Sequence, residues 1–351
     1  MVSYIPALVP FMRIVVDVMG GDQGPSAVIE GSVQALSSAG NERIQKLFLA
    51  GQKEAIEPVL SRLGCTDRRV EMIHATEVLT MDDKPTDALR KKKDCSMARA
   101  IEWVREGAAE AMISPGNTGG LVATSTIRLR LLEGVERAAI ATVIPTTDAE
   151  FVLLDAGANP EVKPLHLLQF AMMGAAYARD ILGRERPRVG ILSNGTEEMK
   201  GNDITREALK LCRMTDLNFL GYVEGHDLFA DRVDVVVADG FVGNIVLKTI
   251  ESMGKCIQTI LRREFQKNPV RKLGALIAYG GFRDIKKRMN PDSYGGAPLL
   301  GLNGTVIKVH GSAKATMVTN AVHQTAAAVN THLNEHIRLA VAKANETVAA
   351  A

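Results

Sequence analysis

A three-layer α/β/α protein on a mostly parallel sheet is the fold class that this sequence predicts, and three observations carry it. Short, β-rich apolar runs alternate with longer segments of helical period along nearly the whole chain. Several of the runs are continuously apolar, as expected of strands covered by helices on both faces. No repeat of about 20–50 residues and no low-complexity linker interrupts the alternation, so one continuous domain over residues 12–351 is expected. With 351 residues, 46% hydrophobic and 23% charged, the chain has ordinary globular composition and enough length for a large core.

Taken in order, the β-rich runs predict strands over residues 14–18, 46–50, 70–74, 111–114, 141–144, 151–155, 189–192, 219–223 and 233–238. Helical spacing predicts helices near 26–38, 53–63, 86–106, 118–132, 164–182, 203–213 and 243–266, and a last helical stretch from Ser312 nearly to the end. Residues 1–11 are apolar but short, lack a basic start and contain Pro6 and Pro10, so they do not read as a signal peptide. They read as an extension, from an alternative start or a vector-derived remnant.

The strand ends are more informative. Five of them run into Met19-Gly20-Gly21-Asp22, Pro115-Gly116-Asn117-Thr118-Gly119, Asp155-Ala156-Gly157-Ala158-Asn159, Ser193-Asn194-Gly195-Thr196 and Asp239-Gly240-Phe241-Val242-Gly243-Asn244, each just before a helix. In open α/β sheets ligands bind at the carboxyl edge. Glycine lets backbone approach a ligand, and helix N-termini offer unpaired N–H groups to an anion. One such loop is an ordinary turn; five point to a site for an anion at a shared edge.

Composition excludes other classes. Lys and Arg total 42 against 40 Asp and Glu, a net charge of +2, and aromatics are 4% with one tryptophan. A general nucleic-acid binder carries a basic excess and stacking aromatics, so that class is set aside. Cys65, Cys95, Cys212 and Cys256 show no CxxC spacing, which fits a reducing cytosol without a zinc site or disulfide framework. No apolar run approaches the roughly 18–20 residues that span a bilayer. No two glycines stand two positions apart, so GxGxxG is absent, as are the P-loop and GxSxG patterns. His332-Leu333-Asn334-Glu335-His336 matches H-x-x-E-H but reads as a solvated helix. Arg90-Lys91-Lys92-Lys93 reads equally as a solvated face or an anion contact. Cys95 has no neighbouring histidine and reads as a small core residue.

With these stretches on the page, the chain closely resembles the bacterial acyl-(acyl carrier protein):phosphate acyltransferases of phospholipid synthesis. The match is carried by Asp17-Val18-Met19-Gly20-Gly21-Asp22 with Gly24-Pro25, Lys84-Pro85-Thr86-Asp87-Ala88-Leu89-Arg90, Ser114-Pro115-Gly116-Asn117-Thr118-Gly119 and Asp155-Ala156-Gly157-Ala158-Asn159. It continues through Glu197-Glu198-Met199-Lys200-Gly201-Asn202, Asp239 to Lys248, Tyr294 to Gly301 and Val306 to Ser312. Val18, Cys95, Gly120, the Ser193–Thr196 loop and Ala313 depart from the usual pattern.

The resemblance implies a fold related to isopropylmalate dehydrogenase and phosphotransacetylase, a homodimer, and no cofactor or metal. It implies transfer of a long acyl chain from acyl carrier protein to inorganic phosphate at the inner face of the cell membrane. The acyl phosphate would pass to an integral-membrane glycerol-3-phosphate acyltransferase. Phosphate is itself nucleophilic, so the protein need only hold it, orient it and stabilise the developing oxyanion. On that view Lys200 and Lys308 clamp phosphate, Asn117 and Asn244 serve the oxyanion, and His310 protonates the leaving thiolate. Asp17, Gly20, Gly21, Asp22, Ser114, Gly116, Thr118, Gly119, Asp155, Asn159, Asn194, Gly195, Asn202, Asp239, Gly243 and Lys248 would line the substrate site. The alternative for each lysine is a salt bridge to Asp17, Asp155 or Asp239.

Residues 262–288 hold nine Lys and Arg against two acids, a local charge of +7 that leaves −5 for the rest. Val270, Leu273, Leu276 and Ile277 recur at helical spacing, as do Phe282, Ile285 and Met289, with a break expected at Gly280-Gly281. Such a segment suits anionic lipid or an acidic partner such as acyl carrier protein, through Leu273, Leu276, Ile277, Lys286, Lys287 and Arg288. The alternative is a dimer interface or core stripe with solvated lysines. Two other functions fit the loops: a phosphotransacetylase-like enzyme using coenzyme A thioesters, and a peripheral membrane scaffold that only binds acyl carrier protein. A dehydrogenase of the isopropylmalate type lacks its metal-binding carboxylates here.

Overall fold

The computed structural model describes residues 12–37, 43–288 and 295–350, with backbone alone for Ala88, Leu89, Lys286 and Lys287. The extension at 1–11, Ser38, Met289 and Tyr294 lie outside the described residues. In chain order the elements begin β1 (Met12–Asp17), α1 (Pro25–Leu36), β2 (Ile44–Gly51), α2 (Lys53–Arg62), β3 (Val70–His74), α3 (Asp87–Arg90), α4 (Ser96–Arg105), β4 (Ala111–Ser114) and α5 (Thr118–Arg128). Then come β5 (Ala139–Pro145), β6 (Glu150–Leu154), α6 (Pro164–Asp180), β7 (Arg188–Leu192), α7 (Asp203–Arg213), β8 (Asn218–Val223), β9 (Val235–Val237) and α8 (Gly240–Gln266). The chain closes with α9 (Pro269–Ile277), α10 (Tyr279–Arg288), β10 (Ala297–Leu300), β11 (Thr305–Lys308), α11 (Ala315–Asn330) and α12 (Leu333–Ala349).

All eleven strands join one sheet in the order β3-β2-β1-β4-β11-β10-β5-β6-β9-β7-β8. Alternate residues feed opposite cores, as the two-residue strand period requires. Ile14 and Val16 face α1, α2 and α11, whereas Val15 between them faces α4. A second cluster on the Ile14 side packs α6, α7 and α12 over β5, β6, β7 and β9. The core on the Val15 side runs across the sheet, from Phe48 and Val15 under α4 to Phe151 and Val236 beside Val246, Leu247 and Ile250 of α8. The layers are therefore α/β/α.

The sheet departs from the shared-edge expectation. Pairing is parallel within β3-β2-β1-β4-β11 and within β6-β9-β7-β8, but antiparallel at β11–β10, β10–β5 and β5–β6. Three reversals leave the two parallel blocks pointing oppositely. The five glycine loops thus form two clusters, one after β1 and β4 and one after β6, β7 and β9. Two hairpins supply two of the reversals, and the antiparallel β10–β5 pairing between them supplies the third. One hairpin is β5–β6, closed by the Thr146 N–H to Ala149 carbonyl bond (3.0 Å). The other is β10–β11, which no strand pattern announced because each arm has four residues flanked by glycines.

Other boundaries moved for local reasons. The helix expected over 86–106 is two helices, because the Asp94 carboxylate accepts the Thr76 N–H (3.0 Å) and its carbonyl accepts from Glu77 (3.3 Å). The break expected at Gly280-Gly281 falls instead at Ala278, where Phe282 turns back onto Phe265 with ring centroids 5.1 Å apart. The final helical stretch is interrupted at His332, whose φ is 53°. Among the described residues, no helix is long and apolar enough to cross a membrane.

Two glycines of α8 predict opposite outcomes. A β-carbon on Gly243 would overlap the Asp155 carbonyl oxygen, whereas one on Gly254 meets nothing within 4 Å. In urea unfolding, Gly243→Ala is expected to lose about 1–3 kcal/mol by overpacking. Gly254→Ala is expected to gain about 0.5–1 kcal/mol from reduced backbone entropy.

Candidate functional site

The first loop cluster is built around a carboxylate. Asp17 ends β1 fully buried; its Oδ1 accepts the Ser96 hydroxyl (2.6 Å) and the Met19 N–H (3.2 Å), and its Oδ2 accepts the Ser114 hydroxyl (2.6 Å). Burial pushes its pKa up, while the hydroxyl and backbone donors pull it back. Ser114 in turn accepts the Gly116 N–H at 3.0 Å, so the carboxylate fixes the loop after β4 through one side chain. Gly20 packs so closely on that loop that a β-carbon would lie 2.5 Å from Gly116 Cα. Asp22 N–H donates to the Gly311 carbonyl at 2.8 Å, tying in the turn after β11. Ser96 was not foreseen; nothing in its sequence context marks it.

Lys308 ends β11 inside this cluster. Its ammonium donates to the carbonyls of Pro115 (3.1 Å) and Val309. Burial lowers its pKa to about 8, Asp17 and Asp22 pull it upward, and the nearby charge of Lys248 pushes it down. His310 is exposed, and its Nδ1 accepts the Ser312 N–H at 3.2 Å. An N–H can only donate, so in the neutral ring the proton sits on Nε2, facing away from that turn. Asn117 caps α5 by accepting the Gly120 N–H (2.9 Å), and its amide donates to the carbonyls of Met81 (2.9 Å) and Asp83 (3.3 Å). That commits the carboxamide to the loop. The first N–H groups of α5, on Thr118 and Gly119, have no acceptor within the helix. Pro85 closes over Gly119 and Met81 over Gly311, so the segment around 81–85 straps this end of the site.

The second cluster repeats the device. Asp155 follows β6, buried, and its carboxylate accepts N–H groups from Ile140 (2.9 Å), Gly157 (3.2 Å), Ala158 (3.1 Å) and Asn159 (2.7 Å), with the Asn159 amide at 2.9 Å. Burial raises its pKa. The Asn159 carbonyl accepts the Gly240 N–H (2.8 Å), Asp239 caps α8 through Val242 N–H (2.8 Å), and Asn244 lies against Gly157. After β7, Asn194 accepts the Gly201 N–H (3.0 Å), Gly195 is buried beneath the Lys200 stem, and Asn202 caps α7 through Thr205 N–H (2.9 Å).

Asp17, Gly20, Gly21, Asp22, Ser114, Gly116, Asn117, Lys308 and His310 therefore come together. Asp155, Asn159, Asp239, Gly243 and Asn244 form the second group, and the charge of Lys248 on α8 is felt by Lys308. Lys200 stays exposed on the β7 loop, its stem over Gly195. Among the described residues Asp17, Asp155 and Asp239 accept no lysine; Lys248 pairs with Glu251 at 2.9 Å.

The remaining sequence features fall elsewhere. His336 pairs with Asp180 (2.7 Å) and His332 precedes α12; no group of three or more metal-ligating side chains occurs among the described residues. Lys91 pairs with Asp87 (3.4 Å) and Lys92 with Asp83. Cys95 is buried, its thiol pushed up to about 11.

In fold the chain is similar to a phosphotransacetylase from Streptococcus pyogenes (TM-score 0.60, 19% identity, 91% of this chain and 94% of that one). A second phosphotransacetylase, from Staphylococcus aureus, matches with TM-score 0.58 and 18% identity over 92% and 96%. Fold and loops together define a three-layer α/β/α protein with glycine-rich loops at its strand ends, an architecture shared with those phosphotransacetylases. A family model described as "Fatty acid synthesis protein" matches residues 12–336. The chain is 44% identical over 324 residues to a phosphate acyltransferase of Syntrophotalea carbinolica (92% of each chain), and 39% identical over 340 residues to that of Thermoanaerobacterium thermosaccharolyticum (97% of this chain, all of the other). It belongs to the phosphate acyltransferase family and is an acyltransferase.

Two measurements test the site's construction. Ser114→Ala removes a donor from buried Asp17 and strands the Gly116 N–H, and is expected to cost about 1–3 kcal/mol in urea unfolding. Lys308 releases its proton near pH 8 when folded but only near 10.5 when unfolded, so the unfolded chain binds more protons between these values. Stability contributed by Lys308 therefore rises with pH across that window. The slope should be present in the native chain and reduced in Lys308→Met.

Proposed function

We propose that the protein transfers a long-chain acyl group from the thioester of acyl carrier protein to inorganic phosphate, giving acyl phosphate for phospholipid synthesis. The observation that carries this reading is Lys308, a half-buried cation that donates to the Pro115 carbonyl at the junction of three glycine-rich turns, its pKa depressed. Phosphate beside Lys308 and Lys248 attacks the thioester carbonyl, an O–C bond forms, and the oxyanion takes N–H groups from Thr118 and Gly119. The C–S bond then breaks, its electron pair goes to sulfur, and the thiolate takes the proton that hydrogen phosphate gives up on becoming acyl phosphate, with His310 relaying it as a transient imidazolium. Neither Cys95 nor Cys212 suits an acyl-enzyme, since both are buried with thiols pushed up to about 11 and about 12.

Support for a peripheral place on the inner face of the membrane comes from α9. None of its residues is buried, and Val270 (79%), Leu276 (72%) and Ile277 (79%) are among its exposed side chains. Leu273 is exposed beside them, and Arg288 is exposed at the end of α10; the side chains of Lys286 and Lys287 lie outside the described ones. The same face suits a homodimer, and the product suits an integral-membrane glycerol-3-phosphate acyltransferase. The phosphotransacetylase-like fold favours one second reading, a coenzyme A thioester as donor.

Mixing purified protein, phosphate and acyl-(acyl carrier protein) or acyl-coenzyme A separates these readings. Faster acyl phosphate formation from the carrier protein is expected; a preference for coenzyme A overturns the donor, and no acyl phosphate overturns the enzyme. Lys308→Ala is expected to raise the phosphate KM about tenfold or more. In the native enzyme kcat/KM for phosphate should fall above about pH 8, and Lys308→Arg should remove that inflection. Leu276→Glu with Ile277→Glu should abolish flotation with anionic vesicles.

A further inference from the structure

The basic run Arg90-Lys91-Lys92-Lys93 closes a loop that the reaction leaves unexplained. Sixteen residues, 78–93, leave and rejoin the fold at one point. There the Thr76 N–H donates to the Asp94 carboxylate (3.0 Å), the Glu77 N–H to the Asp94 carbonyl (3.3 Å), and the Asp94 N–H to the Glu77 carboxylate (2.9 Å). Compact loops whose ends meet in this way are frequently functional. Two pins hold this one. Lys92 is half-buried and donates to the Val78 carbonyl (2.9 Å) and to the Asp83 carboxylate, which also accepts the Thr80 N–H (2.7 Å) and hydroxyl (2.9 Å). Lys92 is thus spent inside the loop and is not an anion contact. Asn117, capping α5, reaches in from outside and donates to the carbonyls of Met81 and Asp83. So pinned, the loop lays Pro85 on Gly119, where a β-carbon would be 2.8 Å from the proline ring, and Met81 on Gly311. Gly119 carries one of the N–H groups that take the oxyanion in the transfer proposed above.

We propose that Asn117 and Lys92 are positioning residues, which hold this loop over the N-terminus of α5 so that the thioester carbonyl meets phosphate and not water. The inference rests on that acyl transfer and gives Asn117 a role other than contact with the oxyanion. An apolar ring against Gly119 keeps water from one side of the N–H groups, where a hydrogen bond to developing charge is then stronger. With the loop released, water takes the place of phosphate. Its oxygen bonds to the carbonyl carbon, the C–S bond breaks with its electron pair on sulfur, and a water proton passes to the thiolate. The products are the carboxylic acid and free carrier protein. Both bonds of Lys92 stay within the loop, so its replacement reads the loop apart from any direct role of Asn117.

The test uses the full chain and two readouts. Thiol release from acyl-(acyl carrier protein) is measured in phosphate-free buffer and with saturating phosphate, and the ratio of the two rates reports escape to water. Amide hydrogen exchange is followed in peptides covering 78–93, with peptides of β1 and β4 as the core reference. Asn117→Ser keeps a helix cap but is too short to reach the loop carbonyls. Lys92→Met removes the other pin. Each variant is expected to speed exchange in 78–93 at least about tenfold with β1 and β4 unchanged, and to raise the water-to-phosphate ratio at least about tenfold. Lys92→Arg, which can still donate to both partners, should restore the native ratio. If one variant loses protection in β1 and β4, the other carries the test. Faster exchange with an unchanged ratio overturns the proposal, as does unchanged exchange in both variants. A lower kcat in Asn117→Ser with exchange and ratio unchanged also overturns it, by returning the amide to the oxyanion. A native chain that releases no thiol with phosphate, from the carrier protein or from coenzyme A, rejects the transfer reaction and this role with it. Native turnover with an unchanged ratio in the variants rejects the positioning alone.

Discussion

Asp17 gathers the site without a bonded cation. A buried carboxylate is costly unless donors surround it, and here two serine hydroxyls and the backbone supply them. Because the donors come from α4 and from the end of β4, satisfying one carboxylate locks separate segments into a single loop platform. The close approach of Gly20 to Gly116 is a consequence, since only two glycines fit there. Lys308 then sits against the Pro115 carbonyl on a fixed floor, close enough to Asp17 to feel its charge but not bonded to it. A lysine neutralised by a direct salt bridge would be a weaker ligand for an added anion.

Asp155 does the same for the other half of the sheet with backbone amides in place of serines. The two halves are thus alike in physics though not in sequence: a strand ends in a buried aspartate, the next turns wrap it, and a helix starts beside it. What joins them is the face of the sheet that carries α4, α5 and α8 over one continuous core.

Much of the site was legible because glycine, aspartate and asparagine recurring at strand ends mark where backbone must pack closely and polar groups must be met. Asp17, Asp155 and Gly243 could be singled out from their positions alone, whereas Lys308, on a strand that no pattern announced, came only from the family resemblance. Their roles could not. Asn117 looks like a free amide in the sequence, yet its three hydrogen bonds are spent on α5 and the strap. Lys200 and Lys248 are equivalent cations by type, and only packing brings Lys248 to Lys308. Ser96 carries no signal, because a serine at a helix start is commonplace.

The sequence by itself determined the alternation of strands and helices, the glycine loops and the basic segment at 262–288, since hydrophobic period and charge are local properties. Strand direction was decided only by the tertiary structure. The β5–β6 and β10–β11 hairpins and the antiparallel β10–β5 pairing between them reverse the sheet, and the four-residue arms of β10 and β11 are too short for their period to show. Whether five loops share one edge depends on those reversals. They are pairings between residues far apart in the chain, and no local pattern encodes them.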